Sequence, residues 1–92
     1  MKVHFTANGW NDYLHWWRAD PDAHRRLIEL IEDIWRRPFT GLGKPEPLRG
    51  ELSGWWSRRL TAEHRVIHRV QGRKGEDQRL EIIQCRYHYG RG

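Results

Sequence analysis

Residues 38–54, PFTGLGKPEPLRGELSG, carry three prolines and four glycines, and this stretch divides the chain. Proline supplies no backbone donor and glycine loses the most conformational freedom on ordering, so neither a helix interior nor a central strand fits there. The regular elements must lie before and after it. Neither flank is large enough to bury a core alone, so the segment is a loop within one domain and not a linker between two. A loop of this length in a compact chain is more often functional than merely connecting.

Upstream, KVHFT alternates weakly and predicts a short first strand. NGWNDYLHWWRAD then sets Trp10, Tyr13, Leu14 and Trp17 at i, i+3, i+4 and i+7, which predicts a helix burying that stripe. Asp20 followed by Pro21 starts a second helix: a side-chain acceptor at the N-cap, then a residue with preset φ. Asp22 adds negative charge near the positive end of its dipole. This helix is expected to run to about Arg37, with Leu27, Ile28, Ile31, Ile34 and Trp35 on one face, and to stop at Pro38.

Downstream, WWSRRL, RVIHRV and LEIIQCRYHY read as three strands, and the polar connection QGRKGEDQR as an exposed, mobile tip. The predicted architecture is α+β in the order β-α-α-β-β-β. Two N-terminal helices pack on one face of a twisted, mainly antiparallel sheet, in one domain over residues 1–92 with 90–92 as a flexible tail.

Charge and cysteine content bound the function. The net charge is +5 and, of 17 basic residues, all but Lys2, Lys44 and Lys74 are arginine. The guanidinium fork matches pairs of phosphate oxygens, although a genome favouring arginine codons explains the bias equally well. Such a charge attracts nucleic acid or an acidic protein partner. The single cysteine, Cys85, excludes an internal disulfide and fits a reducing compartment. No apolar run reaches membrane-spanning length and the N-terminus lacks a signal-peptide core, so a cytoplasmic protein without membrane association is expected.

Strand alternation sets Arg65, Ile67 and Arg69 on one face, and Val66, His68 and Val70 on the other. In the last strand Leu80, Ile82, Gln84, Arg86 and His88 oppose Ile83, Cys85, Tyr87 and Tyr89. Polar residues thus gather at one end of the sheet, where the long loop can arrive. Glu46 lies between Pro45 and Pro47, which restrict the backbone on both sides of it. With Arg58, Arg59 and Arg65 at a hairpin mouth and His88 at a strand end, the residues form an acid–base–phosphate set.

RNA brings its own nucleophile, the 2′-OH. An enzyme need only remove that proton, stabilise the phosphorane and protonate the departing 5′-oxygen. No metal or other cofactor is expected, since His64 and His68 do not converge on a strand as they would on a helix. Each signal also has a plain reading. Glu46 can be a solvated turn residue, His88 a partly exposed strand end, and Arg49, Arg58 and Arg86 solvated arginines. Of the pair Trp55–Trp56, one ring enters the core and the other is free to stack on a base or a partner. The residues alone leave these readings open.

The segments RRPFTGLGKPEPLRGELSGWWSRRLTAEHRVIHRV and CRYHY, with the first strand and WNDYLHW, closely resemble the YoeB/Txe family of toxins. That family lies within the RelE group of bacterial toxin–antitoxin systems, and the resemblance spans nearly the whole chain. It implies a RelE-like, microbial-RNase-like fold and a ribosome-dependent mRNA endonuclease that cuts in the A site, with a cyclic phosphate as first product. By the same resemblance Glu46 is the general base, His88 the general acid, and Arg65 the stabiliser of the scissile phosphate. Arg59 supports phosphate binding, Tyr89 positions the mRNA, and Lys44 and Arg49 match basic loop positions, the latter commonly lysine in relatives.

Two departures are visible: GRG follows Tyr89, where relatives end, and QGRKGEDQR is longer than the usual hairpin. The implied partners are a YefM-like antitoxin with an acidic, disordered C-terminal segment, the ribosome with its mRNA, and a second copy of the chain. Trp16 or Trp55 are candidate contacts for that homodimer. Operator DNA is reached only through the antitoxin. The rival readings are a non-cleaving module that occupies the A site and a co-repressor acting with the antitoxin.

Overall fold

The computed structural model describes residues 2–87. Its elements are β1 (Lys2–Phe5), α1 (Ala7–Ala19), α2 (Pro21–Arg36), β2 (Glu46–Pro47), β3 (Trp56–Arg59), β4 (Arg65–Gln71) and β5 (Arg79–Gln84), with a short 3-10 turn at Gly50–Leu52. They form a five-stranded sheet in the order β1-β5-β4-β3-β2. Only β1 runs parallel to its neighbour, so the sheet is mainly antiparallel as predicted. Both helices pack on one face. Trp16, Leu27, Leu30 and Ile34 meet Val66, Leu80, Ile82 and Cys85 in a single core.

Local chemistry sets the helix boundaries. Thr6 Oγ1 accepts from the Gly9 N–H at 3.1 Å and caps α1. Asp20 serves both helices: its N–H donates to Trp16 O at 3.0 Å, and its Oδ1 accepts from the Ala23 N–H at 3.1 Å with Pro21 following. One residue thus closes α1 and opens α2, as the Asp-Pro pair predicts.

The buried face of α1 differs from the expected stripe. Gly9, Asp12 and Trp16 are buried, whereas Trp10 and Trp17 are 45% and 60% exposed. The reason is contact distance. A side chain built on Gly9 would put its Cβ 2.5 Å from Ile82 O, so the helix docks on β5 through a glycine and not through a ring. Trp10 instead stacks on Tyr13, with ring centroids 5.1 Å apart. On α2, Trp35 is likewise exposed, and Asp33 takes its place on the buried face.

Two further differences bear on the site. The loop that was expected to lack regular structure contributes β2, two residues that pair Glu46 with Ser57 and Pro47 with Trp56. The β4–β5 ladder steps from His68↔Ile82 to Ile67↔Gln84, leaving Ile83 as a bulge. The bulged Ile83 carbonyl accepts from Asn8 Nδ2 at 3.2 Å. Beyond it the simple alternation fails: β5 ends at Gln84, and Cys85 joins Ile82 in the core instead of opposing it. The β4–β5 tip is exposed as expected and is built as a turn, with the Arg73 N–H donating to Asp77 Oδ1 at 2.8 Å.

Candidate active site

The helices cover one face of the sheet and neither packs on the other, where Ser57 and Ile67 are nonetheless buried. Ser57 pairs with both Glu46 and Ile67, and Arg59 pairs with Arg65. Paired residues share a face and alternate residues reverse it. Glu46, Ser57, Arg59, Arg65, Ile67 and Arg69 therefore point to the bare side, while Trp56, Arg58, Val66 and His68 point to the helices. Three of the predicted residues, Glu46, Arg59 and Arg65, thus lie on one face of neighbouring strands, with the Glu46 and Arg65 backbones about 12 Å apart, two strand spacings across and two residues along.

Glu46 is exposed and opens on a depression of about 470 Å³ that it lines with Pro47, Leu48 and Arg49. Lys44 and Arg49 are exposed on the same loop. Lys44 adopts a left-handed backbone, φ 51°, an uncommon conformation for a side chain of this kind. Arg59 is exposed, and its N–H donates to Gly43 O at 2.6 Å, tying the loop to β3. Arg65 is half-buried and its Nη1 donates to the carbonyls of Thr61, Ala62 and His64 at 3.0, 3.3 and 3.1 Å. In this state the guanidinium braces the β3–β4 turn.

Arg58 is not at the hairpin mouth with Arg59 and Arg65, as its neighbours in sequence implied. It is fully buried on the helix side. Its Nη1 donates to Asp33 Oδ2 at 2.5 Å and to Leu42 O at 3.1 Å, and its Nη2 to Thr40 O at 2.7 Å and to Arg37 O. Asp33 also accepts from the Leu42 N–H at 2.9 Å and from Arg37. Burial alone would raise the Asp33 pKa. Hydrogen bonds from Arg37, the Leu42 N–H and Arg58 outweigh it and hold the carboxyl well below the usual carboxylate range. A buried ion pair therefore folds residues 37–42 and carries the chain toward Glu46. Gly41 is required in this turn: its φ is +106° and a Cβ there would strike the Asp33 carboxylate.

The other end of the site is held from α1. The Cys85 N–H donates to Asp12 Oδ2 at 3.0 Å, and Cys85 O accepts from Trp16 Nε1 at 2.7 Å, both buried. Where the ladder stops, two side chains thus take over the backbone pairing. Burial, with the Asp12 charge, pushes the Cys85 thiol far up and keeps it protonated. Next, the Arg65 N–H donates to Tyr87 O at 2.9 Å and the Tyr87 N–H to His64 Nδ1 at 2.7 Å. The chain is pinned beside Arg65 up to Tyr87. His88 and Tyr89, the expected acid and mRNA-positioning tyrosine, and the 90–92 tail lie outside the described residues. Among the described residues no three His, Cys, Asp or Glu side chains gather in a metal-binding group.

This fold and its loop match known proteins closely. The model of the YoeB-like toxins of bacterial type II toxin–antitoxin systems matches residues 5–89. The chain belongs to the YoeB toxin family. Toxin YoeB of Streptomyces coelicolor is 49% identical over 97% of this chain and 100% of its own length, and Toxin YoeB of Escherichia coli K12 is 47% identical over the same shares. Among solved structures, a YoeB/ParE toxin from Agrobacterium tumefaciens superposes with a TM-score of 0.91 at 52% identity, covering 97% of this chain and 100% of its own. The YoeB of a heterotetrameric YoeB–YefM toxin–antitoxin complex from Staphylococcus aureus does so at 0.84 and 32%, covering 97% and 98%. This chain is accordingly a toxin of a type II toxin–antitoxin system with the RelE-like fold.

For this YoeB-family toxin, sequence reading missed Asp12 and Asp33 among the residues that hold the site, set Arg58 at the hairpin mouth and Trp16 at a dimer contact, and gave His64 no role. Trp16, a candidate dimer contact, is buried at 6% exposure and spends its N–H on Cys85, so it is not available to a second copy. Two signals were present. Asp12 and Asp33 are carboxylates in line with apolar helix positions, and Arg58 shares strand parity with Trp56, not with Arg59.

Proposed function

We propose that this toxin is a ribosome-dependent mRNA endonuclease that cuts in the A site and so inhibits translation. Glu46 removes the 2′-OH proton, Arg65 with Arg59 stabilises the phosphorane, and His88 protonates the leaving 5′-oxygen. Lys44, Arg49 and Tyr89 bind and position the RNA. The observation that carries this reading is the register placing Glu46, Arg59 and Arg65 on the one sheet face that no helix covers. The pinning of Tyr87 at Arg65 supports it, because residue 88 follows directly. For phosphate to be bound, the Arg65 guanidinium must swing from its turn carbonyls toward the bare face. The 2′-OH mechanism draws on no cofactor.

The partner proposed is a YefM-like antitoxin whose acidic segment is drawn to a +5 chain. A homodimer and a cytoplasmic location complete the proposal, with operator DNA reached only through the antitoxin. Primer extension on mRNA in initiated ribosomes tests the activity, comparing the wild type with Glu46→Gln and His88→Gln. Codon-sized cuts that require ribosomes and vanish in both variants are expected. Stalled translation over intact mRNA from all three proteins would instead mean an A-site blocker.

A further inference from the structure

The helix-free face continues past Arg65 and the buried Ile67. Four residues beyond Arg65 on β4, about 13 Å away, Arg69 shares that face and lays its guanidinium over the Trp55 ring, 4.3 Å from the centroid. Arg69 Nε donates to Glu81 Oε1 at 2.6 Å and Arg79 Nε to Glu81 Oε2 at 3.2 Å. One carboxylate thus holds two guanidinium groups by their inner nitrogens and leaves a net positive pair. Glu81 is kept ionised, with Arg69 as the main cause of its lowered pKa and Arg79 adding to it. Lys2 and His4 stand in register with Arg79 and Glu81 on β1. A cleft of about 330 Å³ opens between Trp55, Arg69, Glu81, His4, Phe5 and Ile83, and Arg79 stands outside it, bonded to Glu81.

We infer that this cleft binds an unpaired RNA nucleotide outside the cleaved position, its base stacked on the Trp55–Arg69 pair and its phosphate held by Arg69, with the Arg79 charge just outside the cleft. The inference rests on the nuclease reading for its direction along the face, and on the following chemistry for its ligand. Indole and guanidinium planes are sequence-tolerant stacking platforms, and they need a base that is free of a duplex. The volume falls at the low end of small-molecule sites, enough for one nucleotide. Glu81 fixes the arginines before any ligand arrives, so little ordering remains to be done on binding. Of the two adjacent tryptophans, Trp56 contacts Phe39 at 5.1 Å on the helix side, which leaves Trp55 alone on the RNA side.

The test uses the full chain and single-stranded RNA hexamers with 2′-O-methyl riboses, which block cleavage. Fluorescence anisotropy compares the wild type, Trp55→Ala, Trp55→Phe and Arg69→Gln. Trp55→Ala and Arg69→Gln should each weaken binding about five- to a hundredfold, with Trp55→Phe between Trp55→Ala and the wild type. An abasic residue walked through the hexamer should cost the wild type a similar factor at one position and cost Trp55→Ala nothing more there. Equal affinity of Trp55→Ala and wild type, or no hexamer binding by the wild type, overturns the subsite. So does a result in which Trp55→Ala changes only self-association in sedimentation, which would make this face a contact between two copies.

Cleavage on initiated ribosomes separates the two sources of the nucleotide. A rate loss from an abasic residue in the mRNA that disappears in Trp55→Ala assigns the cleft to mRNA. Weaker ribosome binding by Trp55→Ala without any abasic effect assigns it to ribosomal RNA. If the wild type cuts no mRNA at all, the nuclease proposal falls while the hexamer measurement still decides the cleft.

Discussion

The two faces of the sheet use the same residue types to opposite ends. On the helix side Arg58 spends both terminal nitrogens on Asp33 and on three loop carbonyls, and nothing of it reaches solvent. One residue later Arg59 faces the bare side and is exposed. The histidines divide in the same way. His68 is fully buried with neither ring nitrogen hydrogen-bonded, whereas His64 gives its Nδ1 to the Tyr87 N–H at the edge of the site. Position on the strand, not residue type, separates the buried arginine from the exposed one. The covered face makes arginine a scaffold, and the helix-free face keeps Arg59 in reach of solvent.

Substitutions at five positions would break or sharpen that contrast. Glu46→Gln should lower mRNA cleavage on ribosomes about 10²–10⁴-fold. Its unfolding free energy in urea should stay within about 0.5 kcal/mol of the wild type, because the residue is exposed. On the covered face the pattern reverses. Asp33→Ala leaves Arg58 buried and unpaired and should cost about 3–5 kcal/mol of stability, read by the same urea titration. Arg58→Lys should rescue little, because an ammonium cannot fork to several carbonyls at once.

Asp12 joins the two faces, being buried on α1 yet holding the chain that leads to residue 88. Asp12→Ala should cost about 1–3 kcal/mol by stranding the Cys85 N–H, and cleavage should fall with it. Asp12→Asn keeps an acceptor and should recover most of both. Equal loss in the two variants would mean that its charge, not its hydrogen bond, is what matters.

The last effect concerns acid. Burial, aided by the Arg58 charge, lowers the His68 pKa from 6.5 to about 3. Between those values the unfolded chain binds a proton that the folded chain refuses, so stability falls as pH drops through this window. The slope from this one group is about 1.4 kcal/mol per pH unit. Urea titrations at pH 7, 5 and 4 should show His68→Phe losing less stability than the wild type on acidification. Parallel curves would mean that His68 is not the group responsible.

Legibility in the sequence followed the range of the interaction concerned. Asp20–Pro21 was readable because both caps form within a few residues of it. The restricted backbone at Glu46 was readable because two prolines flank it, and the shared face of Arg65, Ile67 and Arg69 because alternation on a strand is a local rule. The role of Arg58 was not readable, since its carboxylate lies 25 residues away on a helix and its carbonyls belong to a loop without periodicity. The buried stripe of α1 was misread for a related reason. The helix meets β5 at Gly9, and contact distance between two backbones leaves no mark in hydrophobic periodicity. The bulge at Ile83, which turns Cys85 inward, is likewise a property of the pairing and not of either strand.

The pairing of β1 with β5 has a bearing on how the toxin is made. Residues 2–5 leave the synthesising ribosome well before their partners, residues 79–82. Such long-range pairing is slow and cannot be anticipated by the nascent chain. Asp12 and Trp16 wait just as long for Cys85. A chain translated only as far as β4 therefore carries Glu46 and Arg65 without the frame that β5 and Cys85 complete.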